Sequence, residues 1–211
     1  EEYKIGVMQQ IFSQELRFKD ANGNNYPDWE EKNLRDIIKL QGGNAFKSSQ
    51  FKREGIPIIR ISNISNKTKY LDLKKLVYYS EQKNDVNYII SKGDLLIAMS
   101  GATTGKSSIS NFDVKAYLNQ RVGLFKSKTT ELEYGFLIQF VFSKIFLRQL
   151  DGVLVAGAQP NISSKDIENF KCELPQLKEQ KKIANFLSSL DSKIDLVSTQ
   201  IENTKAFKKG L

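Results

Sequence analysis

Ten residues, Met99 to Ser108, read MSGATTGKSS and come close to a loop that binds a nucleotide phosphate. Such a loop needs glycine, four residues, then Gly-Lys-Ser or Gly-Lys-Thr, because its backbone N–H groups and the lysine together wrap the phosphates. Here three residues separate Gly101 from Gly105, and Ser100 stands where the first glycine belongs. A phosphate loop also runs from a strand straight into a helix. Lys106 is instead followed by SSISNFDVKAYLNQRVGLF, rich in β-branched and aromatic residues and broken by Asn-Phe-Asp. The loop therefore needs another use than holding ATP or GTP.

Other catalytic parts fail in the same way. The chain has no histidine, which removes the commonest general base, the usual metal ligand and every Ser-His or Cys-His pair. The stretch PDWEEK, Pro27 to Lys32, imitates a nuclease signature of Pro-Asp followed by Glu-x-Lys. Those groups belong on separate paired strands, which six adjacent residues cannot supply, so Pro27 and Trp29 are read as anchors of a loop. A methyltransferase would need a glycine-rich cofactor loop and an Asn or Asp before Pro-Pro-aromatic, and the four prolines are nowhere adjacent. No enzyme is assembled from these parts, and neither a cofactor nor a metal site is expected.

The 211 residues are enough to bury a real core. No apolar run approaches the ~20 residues of a membrane span, and no signal peptide opens the chain, so a soluble, cytoplasmic protein cut from a longer chain is expected. Cys172, the only cysteine, is expected to be a small buried apolar residue. The net charge of +8 is unevenly spread. Residues 39–75 hold nine Lys or Arg against Glu54 and Asp72, and residues 100–128 hold five against Asp113. Charge gathered in two stretches points to an acidic partner such as nucleic acid, the alternative being a solvated basic face with none.

EEYKIGVMQQIFSQEL predicts a helix, and KDANGNNYPDW a loop. From Leu34 to Val122 short apolar runs alternate with turns such as Lys92-Gly93-Asp94, which predicts a mostly antiparallel, curved sheet. ELEYGFLIQFVFSKIFLRQL predicts a buried helix against that sheet. Ser163, three residues before Asp166, suggests a capping box. Pro175 marks a boundary. Beyond it Ile183, Leu187, Leu190, Ile194, Val197 and Ile201 recur at spacings of four and three, a heptad seam. Helical from Leu177 to Lys209, this element would be roughly 50 Å long at 1.5 Å per residue. A helix of that length is expected to project and pack on another. The fold class is thus α+β: a curved, mostly antiparallel sheet domain with packed helices, plus a long projecting coiled-coil helix. The order aromatic, Lys, any residue, Gly, aliphatic also occurs at both ends, as Tyr3 to Val7 and Phe207 to Leu211. That suggests a parent in which one unit of helix, sheet domain and helix is repeated.

GDLLIAMSGATTGKSSI, LNQRVGLFK, GAQPNISSKDIENFKCELPQLKEQKKIANFLSSLDSKID and the Lys-x-Gly-aliphatic junction together resemble the specificity subunit of type I DNA restriction and modification enzymes. The resemblance covers nearly the whole chain. It implies a non-catalytic subunit with two target recognition domains, each reading half of a bipartite double-stranded DNA site, separated by long helices that bind methyltransferase subunits and, through them, restriction subunits. This chain is similar to half of that plan. Residues 1–15 match the tail of a preceding long helix, 16–175 a single recognition domain, and 176–211 the long helix that follows. The seam offers self-association as a way for two halves to pair antiparallel.

Within that frame the loop at Met99 faces the phosphates of DNA. Thr103, Thr104 and Lys106 are expected to donate to phosphate oxygens, and Lys47, Lys52, Lys67 and Lys69 to hold the backbone without regard to sequence. For bases the candidates are Arg60 and Asn63, Gln120 and Arg121, and Gln159 with Asn161, because Arg pairs with guanine and Asn or Gln with adenine in the major groove. Each has a structural alternative: Asn63 and Asn161 as turn holders, Gln159 in a solvated loop, Arg121 as a strand residue with its charge in water. The rival reading of the whole is an interaction protein whose coiled coil does the work and whose basic domain docks on an acidic partner.

Overall fold

A computed structural model describes residues 1–65, 67–156 and 161–209. In chain order, helix α1 (Glu2–Phe12) is followed by β1 (Glu30–Asn33), α2 (Leu34–Ile37), β2 (Ile38–Gly42), β3 (Ile56–Ile59) and β4 (Val77–Tyr79). Then come β5 (Ile89–Ile90), β6 (Leu95–Ala98), β7 (Ser107–Ile109), β8 (Ala116–Leu118) and β9 (Val122–Ser127). Helices α3 (Tyr134–Val141), α4 (Lys144–Ala156) and α5 (Ser164–Glu168), strand β10 (Lys171–Leu174) and helix α6 (Leu177–Lys209) complete the chain. They form two compact units, one of residues 32–129 with 146–172, the other of 1–31, 130–145 and 173–211. The division departs from the expected 1–15, 16–175 and 176–211, because residues 16–31 and 130–145 pack with the helices.

In the sheet unit the runs IPII, LLIA, AYL and VGLF are nearly all buried, as strands covered on both faces must be. They form two four-stranded sheets, β2-β9-β6-β7 and β4-β3-β8-β5, where one curved sheet was expected. The first is antiparallel throughout, and the second contains one parallel pair, β3 with β8. The chain changes sheet at Asn119–Arg121, a three-residue connection whose Gln120 and Arg121 are exposed. Ile59, Ile90 and Leu118 from one sheet and Leu96, Val122 and Leu124 from the other share one apolar cluster. Helix α4 buries Phe146 and Leu150, with the Phe146 ring 6.3 Å from Phe125 and 5.4 Å from Phe170. The capping box is present: Ser163 Oγ accepts from Asp166 N–H while Ser163 N–H donates to the Asp166 carboxylate. Cys172 is buried and free.

A polar knot closes the loop before β5 onto β8. Asp85, 6 % exposed, accepts from the Tyr117 hydroxyl at 2.9 Å and pairs with Lys115, which also reaches Glu81 at 3.0 Å. The Lys115 hydrogen bond, with that of Tyr117, holds the Asp85 carboxyl below the ordinary carboxylate range, and the two carboxylates raise Lys115.

In the helical unit α1 presents Val7, Met8, Ile11 and Phe12, α3 presents Phe136, Leu137, Phe140 and Val141, and α6 presents Ile183, Ala184 and Leu187. The Phe12 ring lies 5.6 Å from Phe136 and 5.9 Å from Phe140. Lys4 near the start of α1 meets Asp191 at 2.7 Å, and Arg17 beyond its end meets Glu179 at 2.8 Å, so α1 and α6 run antiparallel. The stretch expected as one helix against the sheet is two: α3 ends at Val141, Ser143 N–H turns back to the Phe140 carbonyl, and α3 packs on α6. The heptad seam divides as well. Ile183 and Leu187 are buried, Leu190 and Ile194 are half-buried, and Val197 and Ile201 are about half exposed. A helix of 33 residues outruns the shorter α1 and α3 beside it.

The first turns of α6 carry two fully buried polar residues. Glu179 accepts from Arg17 and from Trp29 Nε1 at 3.1 Å, and Gln180 bonds Glu133 N–H and the carbonyls of Glu131 and Pro175, each at 2.8 Å. Removing one partner of a buried pair strands the other charge, so Arg17→Ala should cost about 3 to 5 kcal/mol in urea unfolding. The Asp85 pair has a different signature. A carboxyl lowered in the folded state contributes fully above its unfolded value near ~3.9 and loses that contribution as the pH falls. Asp85→Asn should therefore flatten the acid side of the thermal stability profile and leave the neutral region between ~5 and ~9 parallel to wild type.

Candidate nucleic-acid interface

The loop from Met99 to Lys106 leaves β6 and returns into β7. Gly101 and Gly105 adopt φ of 82° and 79°, which side chains rarely tolerate. A Cβ on Gly105 would stand 2.7 Å from Leu150 Cδ2, so the loop lies directly on α4. Its N–H groups turn inward: Thr104 to the Gly101 carbonyl, Gly105 to Ala98 and Lys106 to Thr103, at 3.1, 2.8 and 2.9 Å. The hydroxyls follow, Thr103 donating to the Ile61 carbonyl at 3.0 Å and Thr104 to that of Gly101 at 2.6 Å. A hydroxyl has one proton to give. Thr103 and Thr104, expected to donate to phosphate, give theirs to the Ile61 and Gly101 carbonyls, and Lys106 presents an exposed ammonium.

Main-chain bonds tie this loop to two other candidate segments. Met99 N–H donates to the Arg121 carbonyl at 3.0 Å and its carbonyl accepts from Ile162 at 2.9 Å, while Ser100 bridges Asn161. Lys106, Gln120, Arg121 and Asn161, dispersed over 56 positions of sequence, thus belong to one contiguous rim. All four are exposed, and their side chains bond to none of the described residues. Ser65 and Lys69 are tied to β7: Ser65 N–H donates to Ser108 Oγ at 3.1 Å and Ile109 N–H to the Lys69 carbonyl at 2.7 Å. The exposed Lys67 lies between these two ties, its N–H donating to Ser65 Oγ, whereas the half-buried Lys69 ammonium sits 5.0 Å from the Tyr70 ring. Lys47 and Lys52 are exposed around the short helical turn Ser48–Gln50, with Lys52 bonded through its backbone to Tyr78 on the edge strand β4.

Two expected base readers are held inside the fold. Asn63 is 1 % exposed; its Oδ1 accepts from Arg60 N–H and its Nδ2 donates to the Asp72 carbonyl, both at 3.0 Å. It closes a turn and has no amide edge left for adenine. The Arg60 guanidinium lies 5.7 Å from the Phe51 ring and reaches the Lys75 carbonyl at 3.4 Å, with Nε buried and without a partner. Gln159 lies outside the described residues. Sequence reasoning passed over Lys39 and Lys126, which stand opposite each other on β2 and β9. Like charges so placed repel, and the signal for them was the charge count of both basic stretches.

Among the described residues no cluster of acids and cysteine is placed to hold a metal ion, and no helix is long and apolar enough to cross a membrane. Fold and rim define an α+β protein whose basic, amide-bearing edge is carried by a two-sheet unit, with a separate helical unit. The chain belongs to the type I restriction modification DNA specificity domain family, whose model matches residues 26–205. It is 27 % identical to the type I restriction enzyme MjaVIII specificity subunit of Methanocaldococcus jannaschii, over 99 % of this chain and 51 % of that protein. It is 30 % identical to the EcoAI specificity subunit of Escherichia coli, over 77 % of this chain and 28 % of that protein. The chain thus spans about half the length, or less, of these curated relatives. Among solved structures, the S subunit of the type I system from M. genitalium matches with a TM-score of 0.66 at 14 % identity, over 96 % of this chain and 50 % of that one. The HsdS subunit from Thermoanaerobacter tengcongensis matches with 0.62 at 17 %, over 94 % and 46 %. At such identities these two share the fold.

The hydrogen-bond assignments separate the candidates by consequence. Asn63→Ala leaves Arg60 N–H and the Asp72 carbonyl unpaired in the interior and should lower the unfolding free energy by about 1 to 3 kcal/mol. Lys106→Ala, at an exposed position, should leave it within about 0.5 kcal/mol. Chemical denaturation of the two variants checks the contrast.

Proposed function

We propose that this chain reads one half of a bipartite double-stranded DNA site as part of a type I specificity subunit, and so places methyltransferase subunits, and restriction subunits through them, on that site. The observation that carries the reading is the rim: cationic and amide side chains from distant segments, exposed, on backbone held by main-chain bonds at Met99, Gln120 and Arg121. The exposed Lys47, Lys52, Lys67 and Lys106 hold phosphates. Gln120, Arg121 and Asn161 face base edges, and Arg60, braced on Phe51, supports the strand end beside them. The subunit performs no chemistry; bond making is left to the partner subunits.

The exposed continuation of the α6 seam, Val197 and Ile201, supports a helical partner for the far half of that helix. That partner is a methyltransferase subunit or the matching helix of a second half, paired antiparallel. A strictly monomeric mass in sedimentation at tens of micromolar would count against pairing of two halves.

Long-read methylation mapping tests the role directly. In cells holding the cognate methyltransferase subunit, adding this chain should create a bipartite methylated motif, symmetric if two copies pair. A stable complex with the methyltransferase and no new motif would contradict DNA reading and favour a purely docking role. Lys67→Ala and Lys106→Ala should weaken binding to all sequences alike and each reduce the slope of log affinity against log salt by about 1.

A further inference from the structure

The DNA-reading role proposed above rests on side chains that the fold leaves unspent, and the same accounting brings forward a residue outside the candidates considered so far. Asn44 follows Gly42-Gly43 at the end of β2. Its backbone is held from both sides: Asn44 N–H donates to the Leu118 carbonyl and its carbonyl accepts from Gln120 N–H, each at 2.9 Å, in a parallel bridge to Asn119. Gly43 permits this approach, since a Cβ there would stand 2.0 Å from the Leu118 carbonyl oxygen. Two residues on, the Phe46 ring stacks on Tyr117 at 5.4 Å and lies 4.9 Å from the Tyr79 ring. The segment is therefore locked at both ends of a four-residue span.

The Asn44 side chain is the opposite. It is exposed, and its amide bonds to none of the described residues. Asn63 shows what a structural asparagine looks like in this fold, with both amide atoms used. Asn44 contributes through its backbone alone, so nothing in the interior depends on its carboxamide. Bidentate reading of a base needs a free donor and acceptor on a rigid mount. Asn44 has both, and it stands one strand spacing, roughly 5 Å, across from Asn119, the residue before Gln120, whose N–H donates to the Asn44 carbonyl.

We infer that Asn44 is a specificity-determining residue that reads a base edge, forming with Gln120 and Arg121 one reading group at the junction of the two sheets. Its carboxamide donates through Nδ2 and accepts through Oδ1, the pattern that matches adenine in the major groove. Asn44 and Gln120 then address the same or adjacent base pairs.

The experiment is methylation mapping with the cognate methyltransferase subunit, comparing wild type with Asn44→Ala and Asn44→Asp. The expected result is loss of about 10-fold or more in preference at one adenine of the motif for Asn44→Ala. For Asn44→Asp, which accepts but cannot donate, the preference at that position should move away from adenine toward cytosine. A residue that merely held the loop would change the yield of methylation and not the motif. An unchanged motif in both variants, with wild type methylating its site, overturns the inference and leaves the DNA-reading role standing. No motif in wild type overturns that role itself. Should Asn44→Ala fold poorly, the isosteric Asn44→Asp decides alone.

Discussion

The sheet unit turns on three residues, Asn119 to Arg121, which pass the chain from one sheet to the other in a single short connection. Asn119 N–H donates to the Ile59 carbonyl, Gln120 N–H to that of Asn44, and the Arg121 carbonyl accepts from Met99 N–H, at 3.0, 2.9 and 3.0 Å. Each bond fastens this connection to a different segment. Strand β3, the end of β2 and the Met99 loop are held in one arrangement because buried strand ends must pair their polar groups. The exposed rim is the outward side of that pairing.

Residues of similar chemistry divide into those whose polar groups the fold uses and those whose groups it leaves exposed. Threonines 103 and 104, Asn63 and Arg60 carry the groups a DNA contact needs, and the fold uses them for carbonyls, an N–H and a ring. Lys106, Gln120, Arg121 and Asn161 carry comparable groups and leave them to solvent. Binding energy at a polar interface comes from groups that are free yet immobile, since ordering a loop on binding costs affinity. The helical unit is built on a separate constraint, the buried Glu179 carboxylate shared by Arg17 and Trp29 at the start of α6.

Much of this was legible in the sequence, for identifiable reasons. Continuous apolar runs separated by Lys-Gly-Asp turns marked the strands, the heptad spacing marked α6, and Ser163 with Asp166 marked the cap of α5, because each signal is local. The partition into two sheets was not legible, since it depends on which strands pair across the chain. The break at Ser143 was hidden by apolar residues on both sides that suit helix throughout. At the candidate interface, residue type alone could not tell a buried asparagine such as Asn63 from an exposed one such as Asn44. That distinction lies in which amide meets a carbonyl in three dimensions, and Gly43 before Asn44 was its only trace in one.

Site-specific photo-crosslinking of the complex with its target duplex tests the central claim most directly. A photoreactive residue at positions 106, 120 or 121 is predicted to capture the DNA, and one at 201 to capture a protein partner. Crosslinking to DNA from 201 with none from 106, 120 or 121 would place the duplex on the helical unit and contradict the account.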